Sequence, residues 1–115
     1  MAEPKPVYRP VLIETYKNKG DKFSRQPIRA RPVEDQGYPE GMNVACSVPE
    51  REEKQSGRKF ILRCRLSRRL DGEKYLACPH RWEWYPVTED EAARFIDGET
   101  VCVKGEQFRR QPALT

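Results

Sequence analysis

The sequence has no apolar run that could cross a membrane. Its longest purely aliphatic stretch is Val11-Leu12-Ile13, against the roughly 20 residues a bilayer span requires. The opening MAEPKPVYRP lacks the apolar centre of a secretory signal peptide, so the expected compartment is the cytoplasm and no membrane partner is expected. In that reducing setting the four cysteines are expected to be free thiols. The chain has a single histidine, His80, with no assignable Ser or Asp partner, and it lacks both a Gly-rich phosphate loop and a G-x-S-x-G motif. No catalytic residue and no cofactor are therefore expected. Internal repeats are missing too, as are an RNP aromatic motif, a KH-type loop, zinc-finger spacing and a clear helix-turn-helix pair.

What is present is charge and proline: of 115 residues, 35% are charged and ten are Pro. A chain of this length buries about 65% of the surface its unfolded form exposes, enough for one core without metal or disulfide staples. The expected organisation is a flexible N-terminal tail over 1–10, one α+β domain over 11–104 and a C-terminal tail over 105–115.

Prolines at 4, 6, 10, 27 and 32 argue against long helices near the start. Val11 to Tyr16 reads as a strand and Ile28 to Arg31 as a second extended piece, adding to the sheet or forming a basic arm. Asn43 to Val48 reads as a short buried strand, and Glu50 to Gly57 as a loop. The clearest pattern is Lys59-Phe60-Ile61-Leu62-Arg63-Cys64-Arg65-Leu66. Phe60, Leu62, Cys64 and Leu66 recur with period two, and a strand sends them to one face and Lys59, Arg63 and Arg65 to the other. Asp71-Gly72 predicts a two-residue hairpin turn, with a returning strand from Lys74 that is interrupted at Pro79 and resumes through Trp82 to Tyr85.

Thr88 to Gly98 predicts a helix, with Thr88 as N-cap, Glu91 closing a capping box and Gly98 as the stop. Val87 and Ala92 occupy staple positions, and Ala92, Phe95 and Ile96 form the apolar stripe. Thr100 to Lys104 reads as a last short strand. The fold class expected is a small antiparallel sheet centred on one long hairpin and packed against a single C-terminal helix, after an extended N-terminal segment.

Residues 58–81 hold eight Lys or Arg against two Asp or Glu, whereas residues 82–101 hold one against six. A two-residue turn at Asp71-Gly72 would place Arg65 opposite Cys78, Arg63 opposite His80, Ile61 opposite Trp82 and Lys59 opposite Trp84. Cations and aromatics would then share one face, a surface suited to DNA or RNA because cations neutralise phosphates and rings stack on bases. The candidate nucleic-acid-binding residues are Lys59, Arg63, Arg65, Arg68, Arg69, Trp82 and Trp84, with Arg25, Arg29 and Arg31 as an extension. Against this stands a plain solvated face, with the tryptophans in the core and Arg stems lying over them.

A second functional reading uses Glu89, Asp90 and Glu91 beside the basic hairpin to dock a protein partner, as an adaptor or inhibitor would. These acids also suit the first turn of a helix for dipole reasons alone. Cys46, Cys64, Cys78 and Cys102 with His80 could supply zinc ligands, but only Cys78 and His80 are close in sequence. Buried thiols acting as small hydrophobes are the expectation, and no metal is. Glu52-Glu53-Lys54 has an acid-x-Lys spacing, without an upstream strand Asp to make a nuclease site.

Overall fold

The computed structural model describes residues 8–17, 28–39, 42–45, 57–78 and 84–114. The elements in chain order are β1 (Arg9–Lys17), β2 (Ile28–Pro32), β3 (Val44–Ala45), β4 (Lys59–Arg68), β5 (Lys74–Ala77), β6 (Tyr85–Pro86), α1 (Glu89–Ile96), β7 (Val101–Val103) and β8 (Glu106–Phe108). Among the described residues the first six strands form one curled sheet in the order β2-β1-β4-β5-β3, with β6 also paired to β4. Strands β7 and β8 form a separate hairpin. The fold is α+β, as the sequence predicts, but the helix is followed by that hairpin and so is not the last element.

Two continuous apolar runs, Val11-Leu12-Ile13 and Phe60-Ile61-Leu62, lie side by side where β1 pairs antiparallel with β4. A strand with no polar alternation reads as buried on both sides, and here it is. Val11, Ile13, Phe60, Leu62, Cys64 and Leu76 form one core on one side of the sheet. Leu12 and Ile61 point the other way, into a second core with Tyr85, Ala92, Phe95, Val101, Val103 and Phe108. Helix α1 and the β7–β8 hairpin cover that second face.

Gln36 secures the edge of this arrangement. Beyond Pro32, where β2 ends, its buried side-chain amide takes the place of a strand residue beside Leu12. The Leu12 N–H donates to Gln36 Oε1 at 2.8 Å. Gln36 Nε2 in turn donates to the carbonyls of Leu12 and Val33, each at 2.8 Å.

The predicted hairpin exists, but its turn and register differ. The Arg69 N–H donates to the Glu73 carbonyl at 2.8 Å and the Gly72 N–H to the Arg69 carbonyl at 2.9 Å. With Gly72 at φ 92°, this is a three-residue loop with a left-handed bulge residue, not a two-residue turn. Arg65 therefore faces Ala77 instead of Cys78, and Leu66 faces Leu76. The core decides the matter: one residue of slip would turn fully buried Leu76 out onto the cationic face. Further back, Phe60 and Ile61 face Pro86 and Tyr85. Four steps along β4, from Ile61 to Arg65, thus span eight on the return, from Tyr85 to Ala77. The expected pairings of Ile61 with Trp82 and Lys59 with Trp84 are accordingly replaced, since Ile61 faces Tyr85 and the Lys59 carbonyl accepts from the Val87 N–H at 3.1 Å, while the pairing expected for Arg63 falls on His80. His80 and Trp82 themselves lie outside the described residues.

A two-residue turn with positive φ at both positions does occur, at Lys104 (50°) and Gly105 (80°). It joins β7 to β8, where the sequence reading ends the domain at 104. Phe108, assigned there to a tail, is buried with its ring 4.7 Å from that of Tyr85. The segment beyond is also held: Arg9 hydrogen-bonds the Pro112 carbonyl, Arg110 Nη1 donates to the Asp35 carbonyl at 2.8 Å, and the Leu114 N–H donates to the Tyr38 hydroxyl at 3.3 Å.

The remaining elements follow expectation more closely. Strand β1 begins at Arg9, ahead of the predicted start, and β2 covers the second extended piece. In β3, Val44 is half-buried and Ala45 exposed because the strand lies at the sheet edge, so the buried strand expected there is a short edge strand instead. Helix α1 has Thr88 as N-cap and the full capping box with Glu91.

Candidate nucleic-acid interface

Strand β4 divides at Cys64. Up to that residue it is flanked by β1, whose last described pairing is Arg9 with Cys64. On the other edge, β3 meets β5 only at Leu76 and Ala77. Arg65 and Leu66 have lost β1 but still pair with the part of β5 that β3 flanks, and from Ser67 to Tyr75 the chain continues as a two-stranded ribbon, without a third strand among the described residues.

The cations on the body half of β4 are held internally. Lys59 Nζ lies 2.6 Å from Glu89 Oε2 on helix α1. The Arg63 guanidinium hydrogen-bonds Glu106 on β8 and reaches the Tyr85 hydroxyl at 3.4 Å. It also sits over the rings of Phe108 and Tyr85, at 5.0 and 5.6 Å from their centroids. The hydrogen bond to Glu106 is the main reason the Arg63 pKa is raised, and the same bond holds the Glu106 carboxyl below its ordinary value. The cationic face predicted for β4 is therefore covered over its first half by α1 and β7–β8. Ile61, on the same face, is core.

On the ribbon the situation reverses. Arg65, Ser67, Arg69 and Tyr75 share the face that Arg63 begins, by the two-residue alternation and the pairing of Ser67 with Tyr75. Arg68 and Lys74 are paired on the opposite face. Among the described residues the side chains of Arg65, Arg68, Arg69 and Lys74 make no hydrogen bond or ion pair, and that of Arg69 lies over the Tyr75 ring at 5.5 Å. Elsewhere, by contrast, Arg31 and Arg94 meet carboxylates, and Lys104 and Arg109 meet backbone carbonyls. Leu70 at the tip is fully exposed, beside Asp71, whose Oδ1 accepts the Glu73 N–H at 2.9 Å.

The other sequence-based candidates do not gather at the ribbon. Trp84 is half-buried, with its ring edge-on to Phe60 at 4.6 Å between centroids, so this ring packs on the core. Arg31 binds Glu14 at 2.9 Å and lies 4.5 Å from the Tyr16 ring centroid, on the far side of β1 from β4. Arg25 and the side chain of Arg29 lie outside the described residues. The three helix acids are occupied: Glu89 by Lys59, Asp90 by Arg94 at 3.3 Å, Glu91 by the capping box.

Cys64 is buried, Cys78 half-buried with its thiol pKa pushed up by burial, and Cys102 exposed on β7. Among the described residues no three potential ligands converge on a metal position, and Cys46, His80 and residues 52–54 lie outside them. Among the described residues no helix is long and apolar enough to cross a membrane. Lys74 and Tyr75 are not among the sequence-based candidates, although the hairpin pairing places them beside Arg68 and Ser67. No family model, curated protein or solved structure matches this chain.

Proposed function

We propose that this protein binds nucleic acid through its β4–β5 ribbon, with Arg65, Arg68, Arg69 and Lys74 meeting phosphates and Tyr75 offering an aromatic surface beside them. The observation that supports this reading is the contrast along β4: Lys59 and Arg63 are neutralised within the fold, while the ribbon cations have no anionic partner among the described residues. A two-stranded ribbon is also narrow enough to enter a major groove or to lie along a single strand. Lys59, Arg63 and Trp84 leave the proposed contact set and act in the fold instead.

Oligonucleotide titrations at several salt concentrations test this. Four phosphate contacts predict a log–log slope of roughly −3 to −4. Arg65→Glu with Arg69→Glu should cut the slope by about half and weaken binding to any sequence. Undiminished binding by that double variant, or no binding by the wild type at low salt, would overturn the proposal. The reading in which the helix acids dock a protein partner has no comparable support, because each acid already has an internal role.

A further inference from the structure

The ribbon tip has a complement elsewhere on the molecule. A groove of about 330 Å³ lies between helix α1 and the turn that follows β2. Val33, Ala92 and Ile96 form apolar walls, and Glu34, Asp35 and Asp97 line it as well. Among the described residues those three carboxylates have no ion pair. The tip is the inverse: Leu70, the one large apolar side chain fully exposed among the described residues, follows Arg69 and stands near Arg68 and Lys74.

We infer that this groove is a docking site for the ribbon tip of a second copy of the chain, with Leu70 on the apolar walls and the ribbon cations against Glu34, Asp35 and Asp97. A copy cannot fill its own groove. Lys59 lines the groove, and Arg69 lies ten residues further along a strand leading away, about 33 Å at the usual rise, in a molecule 44 Å in its longest dimension. The contact is therefore head-to-tail: each copy offers one tip and one groove, so association propagates into chains or rings and does not stop at a symmetric dimer. Burying one leucine with salt-screened ion pairs makes it weak and salt-sensitive.

Sedimentation velocity from micromolar to millimolar protein at low salt tests this. The expected result is a mass that grows with concentration and falls on adding salt. Leu70→Ser alone should weaken association about tenfold to a hundredfold, and its full exposure means the fold is not at risk. The decisive step mixes a tip variant (Leu70→Ser, Arg69→Glu) with a groove variant (Glu34→Lys, Asp97→Lys). Each alone should be monomeric, since each lacks one half of the contact. Together they should form a one-to-one pair and nothing larger, because only one intact tip and one intact groove remain. A wild type that stays monomeric throughout, or a mixture that fails to pair while the wild type associates, overturns the inference.

Discussion

The two halves of strand β4 come from one alternating run of residues and end in opposite environments. From Lys59 to Cys64 both faces are covered, one by the core built on Phe60 and Leu62 and one by α1 with β7–β8, and the cations there find Glu89 and Glu106. From Arg65 onward the strand leaves β1 and runs beside β5, and its cations meet no carboxylate among the described residues. Alternation assigns a side chain to a face, but what covers that face is set by elements distant in sequence. The same residue type is a structural counter-ion at position 63 and an available charge at position 65.

The largest expected difference between the halves is in stability. Phe60→Ala removes a buried ring packed on Trp84 and should cost about 3–5 kcal/mol in urea unfolding. Leu70→Ala on the ribbon should stay within roughly 0.5 kcal/mol of wild type. Similar losses for the two variants would mean that the ribbon belongs to the core and that the division at Cys64 is wrong.

A smaller effect should follow at the body edge. Gln36→Leu strips the Leu12 N–H of its acceptor inside the fold, and a buried group left unpaired costs about 1–3 kcal/mol. Gln36→Glu should also destabilise, because a carboxylate can accept from Leu12 but cannot donate to the two carbonyls. Full stability in both variants would show that water serves this edge equally well.

The smallest effect concerns the held cation. The Glu106 carboxyl is depressed in the folded state, first by its hydrogen bond from Arg63. A group with a depressed folded pKa stabilises above its unfolded pKa, and that stabilisation is lost as pH falls through the folded one. Unfolding midpoints of wild type and Glu106→Gln should therefore differ most at neutral pH and converge below the ordinary carboxylate range. A difference that does not change with pH would separate Glu106 from Arg63.

Local signals were legible in the sequence, and partners were less so. The capping box of α1, the alternation of β4 and the start of β5 at Lys74 depend on residues within a few positions of one another, and each is found as expected. The turn at Asp71-Gly72 was legible as a turn but not as a three-residue loop, because the choice depends on burying Leu76 against the far side of the sheet. The Lys104-Gly105 turn was missed because lysine is no marker of positive φ. Of the proposed site, Arg65, Arg68 and Arg69 could be read from charge alone. Lys74 and Tyr75 required the register, and removing Lys59, Arg63 and Trp84 required knowing what packs over β4.

The sequence by itself determined an α+β chain with a cationic central strand, a capped amphipathic helix and a hairpin, because these follow from short-range periodicity and hydrogen bonding along the backbone. Only the tertiary structure decided which cations are neutralised, which aromatics are buried and where the ribbon leaves the body. Those outcomes depend on pairings such as Arg63 with Glu106, 43 residues apart, and no local pattern specifies a contact at that separation.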